Sequence, residues 1–175
     1  MKILKKVLTI VFAMIFLLWV VTRIILAVSF ERDIGEYLRR AAAASTVQLA
    51  KENLDIALKN IESNGLTSGY TSVLSQTLGE DVGFWYKNLK ASRSELDEVK
   101  TMSFLEKKIA LAEVRRTLFG HGVDESVVVF PKGISIHLNN RLFALWGISS
   151  GILTLIFWLF WVTHVPSRRK NEKHL

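Results

Sequence analysis

Two long apolar segments, one near each end, constrain this chain more than any other feature. Residues 7–22 (VLTIVFAMIFLLWVVT) are free of charge, and IILAVSF extends the run beyond Arg23. A helix from Val7 to Val28 would be about 33 Å long at 1.5 Å per residue, enough to cross a hydrocarbon core of ~30 Å. Leu142 to Val165 forms a second such stretch, with His164 as its only titratable group. Neither segment carries a polar stripe at helical spacing, which argues against two buried helices of a soluble core. The expected division is a tail (1–6), a transmembrane helix (7–28), a mainly helical domain (29–140), a second transmembrane helix (141–165) and a basic tail (166–175).

The net charge of +7 would suggest an anionic partner if it sat in the central domain. It does not. Between Glu31 and Arg141 there are 15 Lys/Arg and 15 Asp/Glu. The excess lies at Lys2, Lys5 and Lys6, at Arg23, and at Arg168, Arg169, Lys170 and Lys173 against Glu172. This is flank charge, so no nucleic-acid partner is expected. Short basic tails remain in the cytoplasm, while a loop of this length crosses regardless of its charge. Both termini are therefore expected inside a plasma (inner) membrane, with residues 29–140 outside it. Trp158 and Trp161 would then lie at the inner interface, where aromatic rings anchor a helix.

The start also has secretory-signal features, including the small-residue pattern Ala27-Val28-Ser29. Its apolar region is longer than such signals use and Arg23 interrupts the approach, so an uncleaved span is expected. Arg23 itself is close enough to the outer end for its side chain to reach the interface. In the second span, Gly147 and Gly151 have small-xxx-small spacing, with Thr154 nearby. Such a face lets two backbones approach in lipid, against the first span, a second copy or another membrane protein.

The central domain reads as an antiparallel helical bundle. Ile34, Leu38, Ala41/Ala42, Ser45 and Leu49 recur at three- and four-residue steps, with Ile56 two such steps on, predicting one continuous helix over 31–63. That helix would reach about 50 Å from the membrane, with Asn64-Gly65 ending it. Residues 65–79, rich in Gly, Ser and Thr, would then form a loop at the membrane-distal tip. Asp81 is expected to cap a second helix. Ser103-Phe-Leu-Glu106 fits a capping box for a third, whose apolar face would be Leu105, Ile109, Ala112 and Phe119. Val127–Phe130, the Pro131-Lys132-Gly133 turn and the alternating Ile134, Ile136 and Leu138 predict a small β-hairpin or extended segment near the membrane.

Chemistry is sparse. With no cysteine, there is no thiolate nucleophile, Cys-based zinc site or disulfide framework. His121 and Asp124 form a weak loop cluster with Ser126, without a second histidine or an oxyanion context, so neither a metal nor a catalytic role is expected. No phosphate-cradling or dinucleotide pattern occurs, and no cofactor is expected. Tyr70, Trp85 and Tyr86 are candidate ligand or partner contacts, although such rings on an amphipathic helix are more often core anchors. The plan of span, helical outer domain and span resembles that of bacterial membrane sensors, whose output domain would here have to belong to a separate partner. The expected function is that of a non-enzymatic accessory or interaction protein. Its partners would be the lipid bilayer and either copies of itself or another membrane protein. The alternative is a sensory or ligand-binding subunit.

Overall fold

The computed structural model describes residues 2–73, 76–99, 103–119 and 128–163. His121, Asp124 and Ser126 lie outside the described residues, as do the strand onset at Val127 and the basic tail 166–175. The fold is all-helical. Its elements are α1 (Lys2–Phe30), a π-helical turn (Glu31–Gly35), α2 (Glu36–Ala42), α3 (Val47–Ser63), α4 (Val82–Glu98), α5 (Phe104–Phe119) and α6 (Asn140–Thr163). Short 3-10 turns cover Leu78–Glu80 and Ile134–Asn139. By contacts the chain divides into two units, one built from α1 up to Ile24 with α6 from Arg141, the other from Ile25–Asn140.

In the first unit, α1 and α6 pack in opposite directions. Phe12 stacks on Phe157 with ring centroids 5.3 Å apart, and Trp19 lies 5.4 Å from Phe143. Both helices are long and apolar enough to span a membrane.

The second unit departs from its expected form at the first helix. Helix geometry stops at Ala42, and Thr46 takes an extended conformation and accepts from the Leu49 backbone N–H as the N-cap of α3. The chain then folds back, so that the Asn60 side chain donates to the Asp33 carbonyl at 2.5 Å. The predicted continuous helix is therefore two helices. Alanine explains how they fit: Ala41, Ala42, Ala50 and Ala57 are all buried, and side chains this small let two backbones lie close. Around them Ile34, Leu38, Leu54 and Ile61 are fully buried.

Asn64 and Gly65 end α3 in a Schellman motif. Gly65 sits at φ +68°, its N–H donates to Glu62, and the Leu66 N–H donates to Ile61. Three pairs then join α3 to α4: Glu62 with Tyr86, Asp55 with Arg93, and Lys51 with Asp97. Position falls along one helix as it rises along the other, so this pair is antiparallel. Ser103 and Glu106 form the anticipated capping box of α5, with Glu106 Oε2 accepting from the Ser103 backbone at 2.7 Å. The Ser103 hydroxyl donates to the same oxygen at 2.7 Å, and this bond first, with the backbone one beside it, holds the Glu106 carboxyl below its ordinary value.

Three further expectations change. The loop after Gly65 does not end one long helix leading away from Phe30, because α3 has turned back to Asp33. The fold-back at 43–46 returns α3 toward Phe30, and the Val82 N–H donates to Gly69 beside the start of α4. The buried face of α5 is Val114 and Leu118, while Leu105 and Ile109 are exposed. No strand occurs among the described residues, so the expected hairpin is absent from them; an isolated bridge joins Tyr70 and Asp81. The Pro131–Gly133 turn does form, with Gly133 at φ +78°, but it leads into a 3-10 turn in which Ile134 and Ile136 are buried. A short apolar run has no intrinsic preference strong enough to resist packing of this kind.

Candidate functional site

Within the second unit, a cleft of about 190 Å³ opens between the start of α4, the end of α5 and the segment after Val128. Asp81 shapes its edge, because its carboxylate accepts from the Phe84 N–H at 3.0 Å and so fixes the first turn of α4. That turn presents Phe84 and Trp85 to the cleft, opposite Leu118, Val129 and Phe130. The Val129 N–H donates to the Leu118 carbonyl at 2.9 Å, tying the far wall to α5. Phe130 is the pivot. Its ring meets Trp85 edge-on at 6.4 Å and Phe30 edge-on at 5.3 Å. The lining is mainly apolar, with Asp81, Asn88 and Thr117 as its polar members.

Of the three aromatic candidates, Trp85 alone lines this cleft. Tyr86 turns toward α3 instead, where its hydroxyl donates to Glu62 Oε1 at 2.5 Å and Lys90 stands 5.5 Å from its ring. The bond to the carboxylate favours the protonated phenol and raises Tyr86 above its ordinary value. Tyr70 pairs with Asp81 through the backbone bridge. Phe30, Phe130, Leu118 and Val129 were not singled out from the sequence. The one local signal was the β-branched and aromatic run ending at Phe130-Pro131, which suggested a strand. Among the described residues, no group of three or more His, Cys, Asp or Glu side chains is placed to hold a metal.

The small-residue face of α6 lies against α1. A Cβ on Gly147 would come within 2.6 Å of Trp19 Cζ2, and one on Gly151 within 3.3 Å of Phe16. The Trp19 indole donates to the Phe143 carbonyl at 2.8 Å. Ser150, buried between the two glycines, donates back to Trp146, and Thr154 donates to Ser150. These hydroxyls thus bond within their own helix, and the two helices are joined by close packing on the glycines together with the Trp19 indole bond to Phe143. Arg23 is exposed on α1.

No family model matches this chain, and neither a curated protein nor a solved structure shows significant similarity to it.

Proposed function

We propose that this chain is a membrane-anchored, non-enzymatic accessory or interaction protein. Residues 7–28 and 141–165 would cross the inner membrane, leaving both basic tails in the cytoplasm and residues 29–140 outside as an antiparallel helical bundle. The membrane part is supported by exposure: none of the most apolar window of α1 and only 17% of that of α6 is buried. Leu17, Leu18, Ile24 and Ile25 on one helix, and Leu145, Ile148, Ile152 and Leu155 on the other, are uncovered. A helix from a soluble core would be buried on such faces. Lipid satisfies them.

The observation that carries the interaction reading is on α5. Phe104, Leu105 and Ile109 form one face of its first half and are 74%, 66% and 60% exposed. Apolar side chains grouped at this exposure support a surface that another protein would cover. The partner would be another membrane protein or a second copy of this chain. Purification of the full chain in mild detergent tests this: a partner should co-purify, and Phe104→Glu with Ile109→Glu should release it. A strictly monomeric particle with nothing bound would defeat the reading.

The alternative, a ligand-sensing subunit, rests on the Trp85 cleft. Its volume is below the ~300–1,000 Å³ of sites that enclose a drug-sized molecule, so only a small apolar ligand would fit. A thermal-shift screen of the full chain separates the two, since a bound ligand stabilises the folded state.

A further inference from the structure

One group of exposed apolar side chains remains unexplained, at the end of the second unit that carries Phe30. Leu78, Phe84 and Val129 border the Trp85 cleft and are 83%, 57% and 54% exposed. Behind them runs the ring series Trp85–Phe130–Phe30. Phe30 ties this face to the end of α1. It is two residues beyond Val28, where the apolar run is expected to leave the bilayer, in the same helix α1, and so about 3 Å farther along the axis. If the run spans the bilayer, Phe30 sits at its outer boundary, and the rings packed in series on it are held close to that boundary.

We infer that Leu78, Phe84 and Val129 form a lipid-contacting face by which the outer helical unit rests on the membrane surface. The inference rests on the two-span reading above. The occupant is the acyl–headgroup boundary of the outer leaflet, where apolar side chains on an amphipathic surface bury themselves to a depth of about 5–10 Å. Aromatic rings are favoured in that zone, which suits Phe84 and the half-buried Trp85. The cleft they border is then a groove open to the headgroup-proximal segments of acyl chains. Contact on this face, beyond the tether of α1, restrains how far the helical unit can tilt away from the bilayer.

The absence of native cysteine makes the test direct. Single cysteines replace Leu78, Phe84, Leu17 or Glu52 in the full chain, which is spin-labelled and reconstituted in vesicles of phosphatidylcholine and phosphatidylglycerol. Collision with oxygen, which concentrates in lipid, is compared with collision with a water-soluble nickel chelate. The oxygen-to-nickel ratio at positions 78 and 84 should exceed that at Glu52 several-fold and approach that at Leu17. If position 17 passes while 78 and 84 match Glu52, the lipid-contacting face is wrong and the spans stand. If position 17 itself behaves as water-exposed, the two-span reading fails and takes the inference with it. Labels at 78 and 84 shielded from both reagents would mean that protein covers the face, which also overturns it.

Discussion

The indole of Trp19 occupies the space that a side chain on Gly147 would need, and its N–H reaches the Phe143 carbonyl one helical turn before that glycine. The ring is held further by Phe16 at 5.6 Å and Phe143 at 5.4 Å. It has nowhere to move without breaking several contacts at once. This is the feature that sets how closely α1 and α6 approach.

Replacing Gly147 with alanine should therefore separate the two helices. Overpacking of a well-filled contact costs about 1–3 kcal/mol. The control is Gly35→Ala, where the added Cβ would come within 2.6 Å of Glu31 Oε2, a clash of nearly the same depth. There the obstacle is the end of a flexible, partly exposed side chain paired with Arg39, which can swing aside. Disulfide trapping between cysteines placed at Phe12 and Phe157 should fall sharply in Gly147→Ala and stay unchanged in Gly35→Ala. Equal trapping in both would show that Trp19 does not set the approach.

The fold-back at 43–46 is measurable as a distance. Asp33 and Asn60 are 27 residues apart, so an unbroken helix would separate them by about 40 Å. Folded back, their backbones are within side-chain reach. Spin labels at Arg32 and Lys59, neighbouring exposed positions, should report a short distance by dipolar spectroscopy, and a distance near the straight-helix value would refute the turn. Thr46→Ala removes the cap on Leu49 and should lower stability by about 1 kcal/mol in thermal unfolding followed by circular dichroism.

What could be read from the sequence was chiefly local. The ends marked by side-chain or glycine chemistry appear where expected: Asp81 before α4, Ser103 and Glu106 at α5, and Asn64-Gly65 after α3. The break after Ala42 was hidden because Ala41 to Ala44 favour helix more strongly than any other residue type. Only the packing of Ala41 and Ala42 against the core beside α3 makes a turn preferable. On α5 the periodicity admitted two faces, and Val114 and Leu118 are buried because α2, α3 and α4 pack against that helix and the segment from Val128 closes over its end at Leu118. The cleft was the least legible part. Trp85 could be suspected alone, but Phe30 and Phe130, which give it a setting, are distant in sequence and joined to it only by tertiary structure.

Arg93 links α3 and α4 within the second unit. It contacts Asp55 through both Nε at 2.6 Å and a terminal nitrogen at 3.3 Å, and also pairs with Asp97, which Lys51 approaches in turn. Arg93→Lys keeps the charge but loses the planar fork, so it should behave more like Arg93→Ala than like the parent. Because the carboxylates are nearly half exposed, the loss should be modest, about 0.5–1 kcal/mol. It should shrink as salt is added. Thermal unfolding of the three proteins at low and high ionic strength measures this, and a lysine variant as stable as the parent would argue against the bidentate contact.

The Tyr86–Glu62 pair gives a dependence on alkaline pH. The bond needs the phenol protonated, and it raises Tyr86 above the ordinary tyrosine value near 10. Its contribution to stability is therefore complete below that ordinary value, and is lost as pH rises through the raised value of the folded protein. Of the chain's three tyrosines, one should ionise late when phenolate absorbance is followed through an alkaline titration. Tyr86→Phe should delete that late step, and Glu62→Gln should move it to lower pH, because a neutral amide no longer opposes the phenolate charge. If the late step persists in Tyr86→Phe, the contact between α3 and α4 is not made as described.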